Sequence, residues 1–187
     1  MTYDPPRPPG RLLLTPEDRD APARVRRLRL LGLGDRAEPA LDAFAHRLAQ
    51  LARTPYAMVT FIGEHEQFFA GLCAPDGTVR APDGIERGMG RRLPRSHGFC
   101  PHVVVRRKAL VLDDVGDYPR FAGNPIVDET GIRSYLGAPL VDGTGIALGT
   151  VCVADVAPRP WGRRGLETIK ATAADLTAAL ERREILS

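Results

Sequence analysis

Lysine, tryptophan and cysteine are scarce in this 187-residue chain, and each shortage narrows what it can be. The three cysteines, Cys73, Cys100 and Cys152, are an odd number without a Cys-x-x-Cys spacing, so neither a disulfide framework nor a zinc or redox motif of that type is expected. Long apolar runs are missing as well. No stretch approaches the ~20 residues of a membrane span, and Met1 to Gly10 is proline-rich without an apolar core, so no signal peptide is read there. The expectation is a cytoplasmic protein with no membrane partner. Charge of one sign is lacking too: 26 basic and 23 acidic residues leave a net charge of +3, and the two signs are interspersed. No extended positive field is available to hold a phosphate backbone, so nucleic acid is not an expected partner. Only Lys108 and Lys170 are lysine, the remaining basic residues being arginine. The densest basic interval, Arg87 to Lys108, carries seven positive side chains and offers at most a local anion-attracting patch.

What is present supports one domain, because a 43% hydrophobic content supplies a full core at this length. Residues 1–23 hold six of the seventeen prolines and read as a flexible N-terminal segment without core, leaving 24–187 as the single domain. Val25, Leu28 and Leu31 recur at helical spacing until Gly32 and Gly34 end the pattern. Pro39 suits a first helical position, and Leu41, Phe44, Ala45, Leu48 and Leu51 follow on one expected face. Tyr56 to Ile62 and Gln67 to Leu72 read as a hairpin with His65 at its tip. Cys73 to Arg95 has no clear period and reads as a long loop. Further strands are expected at 109–113, 132–140 and 146–154, with a loop through Pro119, Arg120 and Phe121 and a helical turn near 124–129. The 146–154 run is apolar on both faces and should be central. In the final helix, Arg163 to Arg183, the residues Leu166, Ile169, Ala173, Leu176 and Leu180 form a seven-residue seam that packs on the sheet or also meets a partner helix.

The densest chemistry lies between Ser96 and Asp114, where His97, Cys100 and His102 crowd a turn set by Gly98 and Pro101. A thiol beside imidazoles can be held partly as thiolate, which makes Cys100 the candidate nucleophile or redox group. Against that stands the Val103 to Val105 run that follows, which favours a packed thiol. A metal site would need ligands that converge, with Asp114 or His65 joining the cluster, and no metal is expected. Asp113, Asp114 and Asp117 stand ready to pair with Arg120 and Arg133, and Arg120 with Phe121 can hold an anionic or planar ligand or simply pin the loop.

Several segments together resemble a GAF domain, the sensing module related to PAS domains. They are Leu28 to Leu33 with Glu38 to Asp42, Ser96 to Val104, Pro119 to Val127, Ile132 to Leu140, and Gly149 to Asp155. They look like the bacterial subgroup found ahead of histidine kinases, cyclase outputs and phosphatases. The resemblance implies an α+β fold: a central antiparallel sheet of five or six strands, terminal helices on one face and a ligand pocket on the other. Phe69, Phe99, Cys100, His102, Asp114, Arg120, Phe121, Tyr135 and Cys152 are the residues expected to wall that pocket. No cofactor is identified: Pro101 interrupts the Cys-His pair that attaches bilins in some relatives, and the Asn-Lys-x-x-Phe-Asp-Glu pattern of cyclic-nucleotide binders is missing. The expected function is a non-enzymatic signalling sensor or adaptor with an unidentified small ligand. A homodimer through the terminal helices and a separate output protein are its expected partners, since no output domain is read after the last helix. The alternative is a thiol enzyme or redox switch using Cys100, as in the GAF enzymes that reduce free methionine sulfoxide.

Overall fold

Helix α1 (Ala21–Leu30) starts four residues before the apolar spacing begins, with Pro22 in its first turn where a missing amide is harmless. This moves the start of ordered, core-forming chain back into the proline-rich segment, since Ala21 is buried and Asp18 binds the buried Arg24. The computed structural model describes residues 15–75, 79–80, 86–87 and 90–185, so the first fourteen residues of that segment lie outside the described residues. Gly32 and Gly34 turn the chain with φ of 66° and 102°, and Leu31 and Leu33 stay in the core beyond the helix end.

Helix α2 (Pro39–Ala52) begins at the expected proline and buries Leu41, Ala45, Leu48 and Ala49. Leu51, expected on that face, is instead 84% exposed, because at 100° per residue it falls past the edge of the arc that Leu41, Ala45, Leu48 and Ala49 bury. The hairpin forms as read: β1 (Tyr56–Ile62) pairs antiparallel with β2 (Glu66–Cys73), and His65 is exposed in the turn. The long loop expected at 73–95 is partly structured. Strands β3 (Val79–Arg80) and β4 (Glu86–Arg87) make a small ribbon of their own, and β5 (Arg92–Pro94) joins the edge of the main sheet beside β2. The rest of 76–89 lies outside the described residues.

After β5 come α3 (Cys100–Arg106), β6 (Leu110–Leu112), a 3-10 turn (Val115–Asp117), α4 (Pro119–Ala122), α5 (Pro125–Thr130), β7 (Ser134–Val141), β8 (Ala147–Asp155) and α6 (Gly162–Ile185). The segment expected as a loop at Pro119 to Phe121 is therefore one helical turn. The main sheet has six strands in the order β5-β2-β1-β8-β7-β6, all pairs antiparallel. Strand β8 is buried at every position, as its two-sided apolar run implies.

Two cores lie on opposite faces of this sheet. On one face Leu28, Leu41, Ala45 and Leu48 from α1 and α2 join Ile169, Ala173, Leu176 and Leu180 of α6 over Val59, Leu136 and Val151. From Ile169 to Leu180 the seven-residue seam of α6 is thus packed on its own sheet, while Leu166 is half-buried; the turned-out face carries Glu167, Lys170, Ala171, Ala174 and Ala178. On the other face α3, α4 and α5 cover Tyr56, Met58, Phe69, Tyr135, Cys152 and Ala154.

The turn between β7 and β8 is fastened to both terminal helices. Asp142 Oδ1 accepts from Thr144 N at 3.0 Å, Thr144 Oγ1 at 2.6 Å and Ile146 N at 3.0 Å, while Oδ2 takes the Arg27 Nε of α1 at 2.6 Å. One residue on, Gly143 N donates to Glu181 Oε1 of α6 at 2.6 Å. Among the described residues no helix is long and apolar enough to cross a membrane.

Candidate functional site

The turn expected before α3 is made by Gly98 at φ 82°, a left-handed conformation that suits glycine, and by Pro101 in the first helical turn. Asn124 locks it from the far side, accepting from Gly98 N at 2.8 Å and donating to Gly98 O at 2.9 Å while capping α5 through Ile126 N. The Gln67 amide, wholly buried on β2, bonds Pro94 O at 3.1 Å and the His97 carbonyl. These two amides hold the chain on either side of the turn and so fix where α3 begins.

With α3 placed, Cys100 points into the sheet and meets a polar cluster inside an otherwise apolar core. Its Sγ lies 3.4 Å from Tyr135 Oη, 3.9 Å from Thr60 Oγ1 and 4.0 Å from Cys152 Sγ. Tyr135 reaches across because residue 137 is glycine, where a Cβ would stand 2.3 Å from the phenol oxygen. Thr150, register partner of Thr60, has a buried hydroxyl without a hydrogen-bond partner. Hydrogen bonding to Cys152 above all, against the opposing effect of burial, lowers the Cys100 thiol to about 6, while Cys152 is pushed well above the ordinary thiol value. Burial keeps the Tyr135 phenol protonated.

Around this cluster the expected pocket is nearly full. A cavity of about 30 Å³ remains, lined by Met58, Phe69, Phe99, Cys100 and Tyr135 together with Gln67 and Leu93 of the strand edge. Phe99 fills the centre, edge-on to Phe121 at 5.7 Å and to Tyr135 at 5.1 Å between ring centroids.

Of the nine expected wall residues, Phe69, Phe99, Cys100, Tyr135 and Cys152 come together here, and Phe121 backs Phe99. His102 lies one layer out, its ring 5.0 Å from Phe121 and its Nδ1 buried without a partner. Asp114 and Arg120 do not belong to the wall. Asp114 caps the 3-10 turn through Gly116 N and pairs at the surface with Arg133 at 2.7 and 3.2 Å, because β6 ends one residue earlier than expected. Arg120 is exposed on α4, whose inward residue is Phe121, its neighbour. The two expected carboxylate and guanidinium roles therefore reduce to a surface pair. The histidine cluster also disperses: His97 Nε2 faces Glu129 at 3.0 Å, and His65 is in the exposed β1–β2 turn. Among the described residues no three His, Cys, Asp or Glu side chains are placed to hold a metal ion. Thr60, Gln67, Asn124 and Thr150 were missed by sequence reasoning; only Asn124, an Asn before Pro at a helix start, carried a local signal.

Burial first, then the positive charges of Arg120, Arg106 and Arg95, lower the His102 imidazole to about 4. In the unfolded chain histidine takes its proton near 6.5, so between these values the unfolded state holds the extra proton and stability falls as pH falls. Urea unfolding is expected to show about 2 kcal/mol of stability lost between about pH 7 and pH 4 on this account, with allowance for solvent screening. The loss should disappear in His102→Gln; an unchanged pH profile in that variant would remove the assignment.

A scan for known families matches the GAF domain over residues 36–180. A cyclic di-GMP phosphodiesterase of Pseudomonas aeruginosa is 32% identical over 131 residues, which are 68% of this chain and 20% of that protein. The chain thus spans about a fifth of the length of this curated relative. Among solved structures, the GAF domain of a phosphoenolpyruvate-protein phosphotransferase from Coxiella burnetii superposes with a TM-score of 0.59 at 16% identity, covering 87% of this chain and 94% of the other. The free methionine-R-sulfoxide reductase of Neisseria meningitidis, solved with its substrate, gives 0.54 at 18% identity over 77% and 75%. At such identities the two structures speak for the fold alone. With the six-stranded sheet, the helices on both faces and the matched span agreeing, this chain belongs to the GAF domain family.

Proposed function

We propose that the domain is a non-enzymatic signalling adaptor whose inner face is a packed core instead of a receptor for a large ligand. The observation that carries this reading is the cavity of about 30 Å³ beneath Phe99, Cys100 and Tyr135. That is about the share of one water molecule in the liquid and far below the ~300–1,000 Å³ of ordinary ligand sites. The signalling context is drawn from the family and from the Pseudomonas relative named as a cyclic di-GMP phosphodiesterase. A thiol enzyme acting on methionine sulfoxide is disfavoured by the same geometry, since Cys100 is 5% exposed and the cavity has no room for an amino-acid substrate. Partners, a second copy or a separate output protein, are met on the helical side, where Leu51 and the alanine-rich face of α6 are open.

Thermal unfolding of the full chain with cyclic di-GMP, other nucleotides, amino acids and tetrapyrroles tests this. A ligand at about a hundred times its Kd adds about 2.7 kcal/mol, a plainly measurable shift. No saturable shift is expected with any of them, and no reduction of free methionine sulfoxide. A saturating shift with one compound would return the domain to the ligand sensors.

A further inference from the structure

The adaptor reading leaves unexplained why two thiols, a phenol and two threonine hydroxyls meet in the middle of an apolar core. Such a cluster is costly to bury for packing alone, because a hydroxyl without a partner, as at Thr150, loses its hydration with nothing in return. The two sulfurs are on different elements, α3 and β8, and lie 4.0 Å apart with nothing placed between them. They also differ in access. Cys100 lines the small cavity, whereas Cys152 is fully buried behind it and is not in the cavity wall. The third cysteine, Cys73, is half-buried at the far end of β2 and takes no part in this cluster.

The geometry points to Cys100 and Cys152 as a two-thiol modification site, in which a small hydroperoxide admitted to the cavity oxidises Cys100 and Cys152 then closes the disulfide. A cavity of about 30 Å³ selects for reach as well as size: it admits a molecule near the dimensions of water and refuses a bulky peroxide. In the first step the Cys100 sulfur attacks one peroxide oxygen; the S–O bond forms, the O–O bond breaks, and the leaving oxygen takes the thiol proton to depart as water or alcohol. Cys100 is then a sulfenic acid, two electrons having passed to the peroxide. In the second step the Cys152 sulfur attacks Cys100 Sγ; the S–S bond forms, the S–O bond breaks, and the hydroxyl leaves as water with the Cys152 proton. Thr60 and Tyr135 sit where their hydroxyls can donate to the Cys100 thiolate, and its lowered pKa favours attack from that sulfur.

Closing the bond shortens the sulfur separation from 4.0 Å to about 2 Å, by rotation of the two side chains or by a shift of the start of α3 toward β8. A shift of α3 would carry Phe99, the residue before Cys100, against Phe121 and Tyr135, its ring neighbours. The proposal deepens the adaptor reading by naming its input, and its chemistry can be tested separately from that reading.

The reduced full chain is treated with hydrogen peroxide, then unfolded, alkylated and digested. A cross-linked peptide joining Cys100 to Cys152 is expected, with Cys73 still alkylated and the cross-link lost on treatment with dithiothreitol. Cumene hydroperoxide should react markedly more slowly than hydrogen peroxide. Cys152→Ser should stop at a sulfenic acid on Cys100 that a dimedone probe present during unfolding captures, and Cys73→Ser should change nothing. Because the first measurement is made on the unaltered chain, misfolding of a variant does not blunt it. Recovery of Cys100 and Cys152 both alkylated after prolonged peroxide, or a cross-link that runs through Cys73, overturns the site. The adaptor reading fails on a different result, a saturating shift in the ligand panel.

Discussion

Replacing Arg24 with alanine is expected to destabilise the fold by about 3–5 kcal/mol, the usual consequence of leaving one member of a buried ion pair behind. Arg24 is 1% exposed, an extreme position for a guanidinium, and every part of its fork is used. Its Nε donates to Ala147 O at 2.6 Å at the start of β8, and its two terminal nitrogens hold Asp18 at 2.7 and 3.0 Å. Without it, the Asp18 carboxylate keeps the more exposed Arg95, at 3.2 Å, and its bond to the Asp20 backbone, and the carbonyl of Ala147 loses the Arg24 Nε. Lysine should rescue little, because one ammonium cannot reproduce the fork. The double variant Arg24→Met, Asp18→Asn should lose much less than Arg24→Ala, since no unpaired charge remains. Urea midpoints measure all three; a loss in Arg24→Ala no larger than that of an exposed arginine would show that Asp18 finds water instead.

Phe99→Ala carries the second large effect, a loss of about 3–5 kcal/mol from removing a buried aromatic ring. Its ring is the plug of the inner face, held between Phe121 and Tyr135. The variant is informative because of what it makes room for. Apolar cavities of about 150 Å³ admit benzene, so the variant should be restored by saturating benzene or indole while the parent chain is not. If the parent gains as much, the inner face opens without help and the adaptor reading loses its support. If the variant gains nothing, Tyr135 and Phe121 have collapsed into the space.

These two residues also mark how far the sequence could be read. Phe99 belongs to a motif whose turn, Gly98 and Pro101, is written locally, and it lies where the motif implies. The same holds for α2, whose start is declared by Pro39, and for β8, whose two apolar faces leave it no place but the sheet centre. Arg24 looked like an ordinary member of an arginine-rich stretch. Nothing near it in the chain announces that its partner carbonyl is 123 residues away. The pairing of Cys100 with Cys152, 52 residues apart, and of Gln67 with the carbonyls at 94 and 97 is hidden for the same reason: long-range polar contacts leave no period. Asp114 and Arg120 went astray through small boundary errors, because ending β6 at Leu112 and coiling 119–122 into a helical turn each swing the next charged residue outward.

The β7–β8 turn has a mechanical meaning. Since Asp142 is tied to α1 and Gly143 to α6, the two terminal helices hang from one pivot, and Arg24 adds a second strut from α1 to the first residue of β8. A slide of β8 along its neighbours therefore tugs both helices in phase, like two oars on a single thwart, and cannot twist one while the other rests. Whatever grips either helix feels the same stroke.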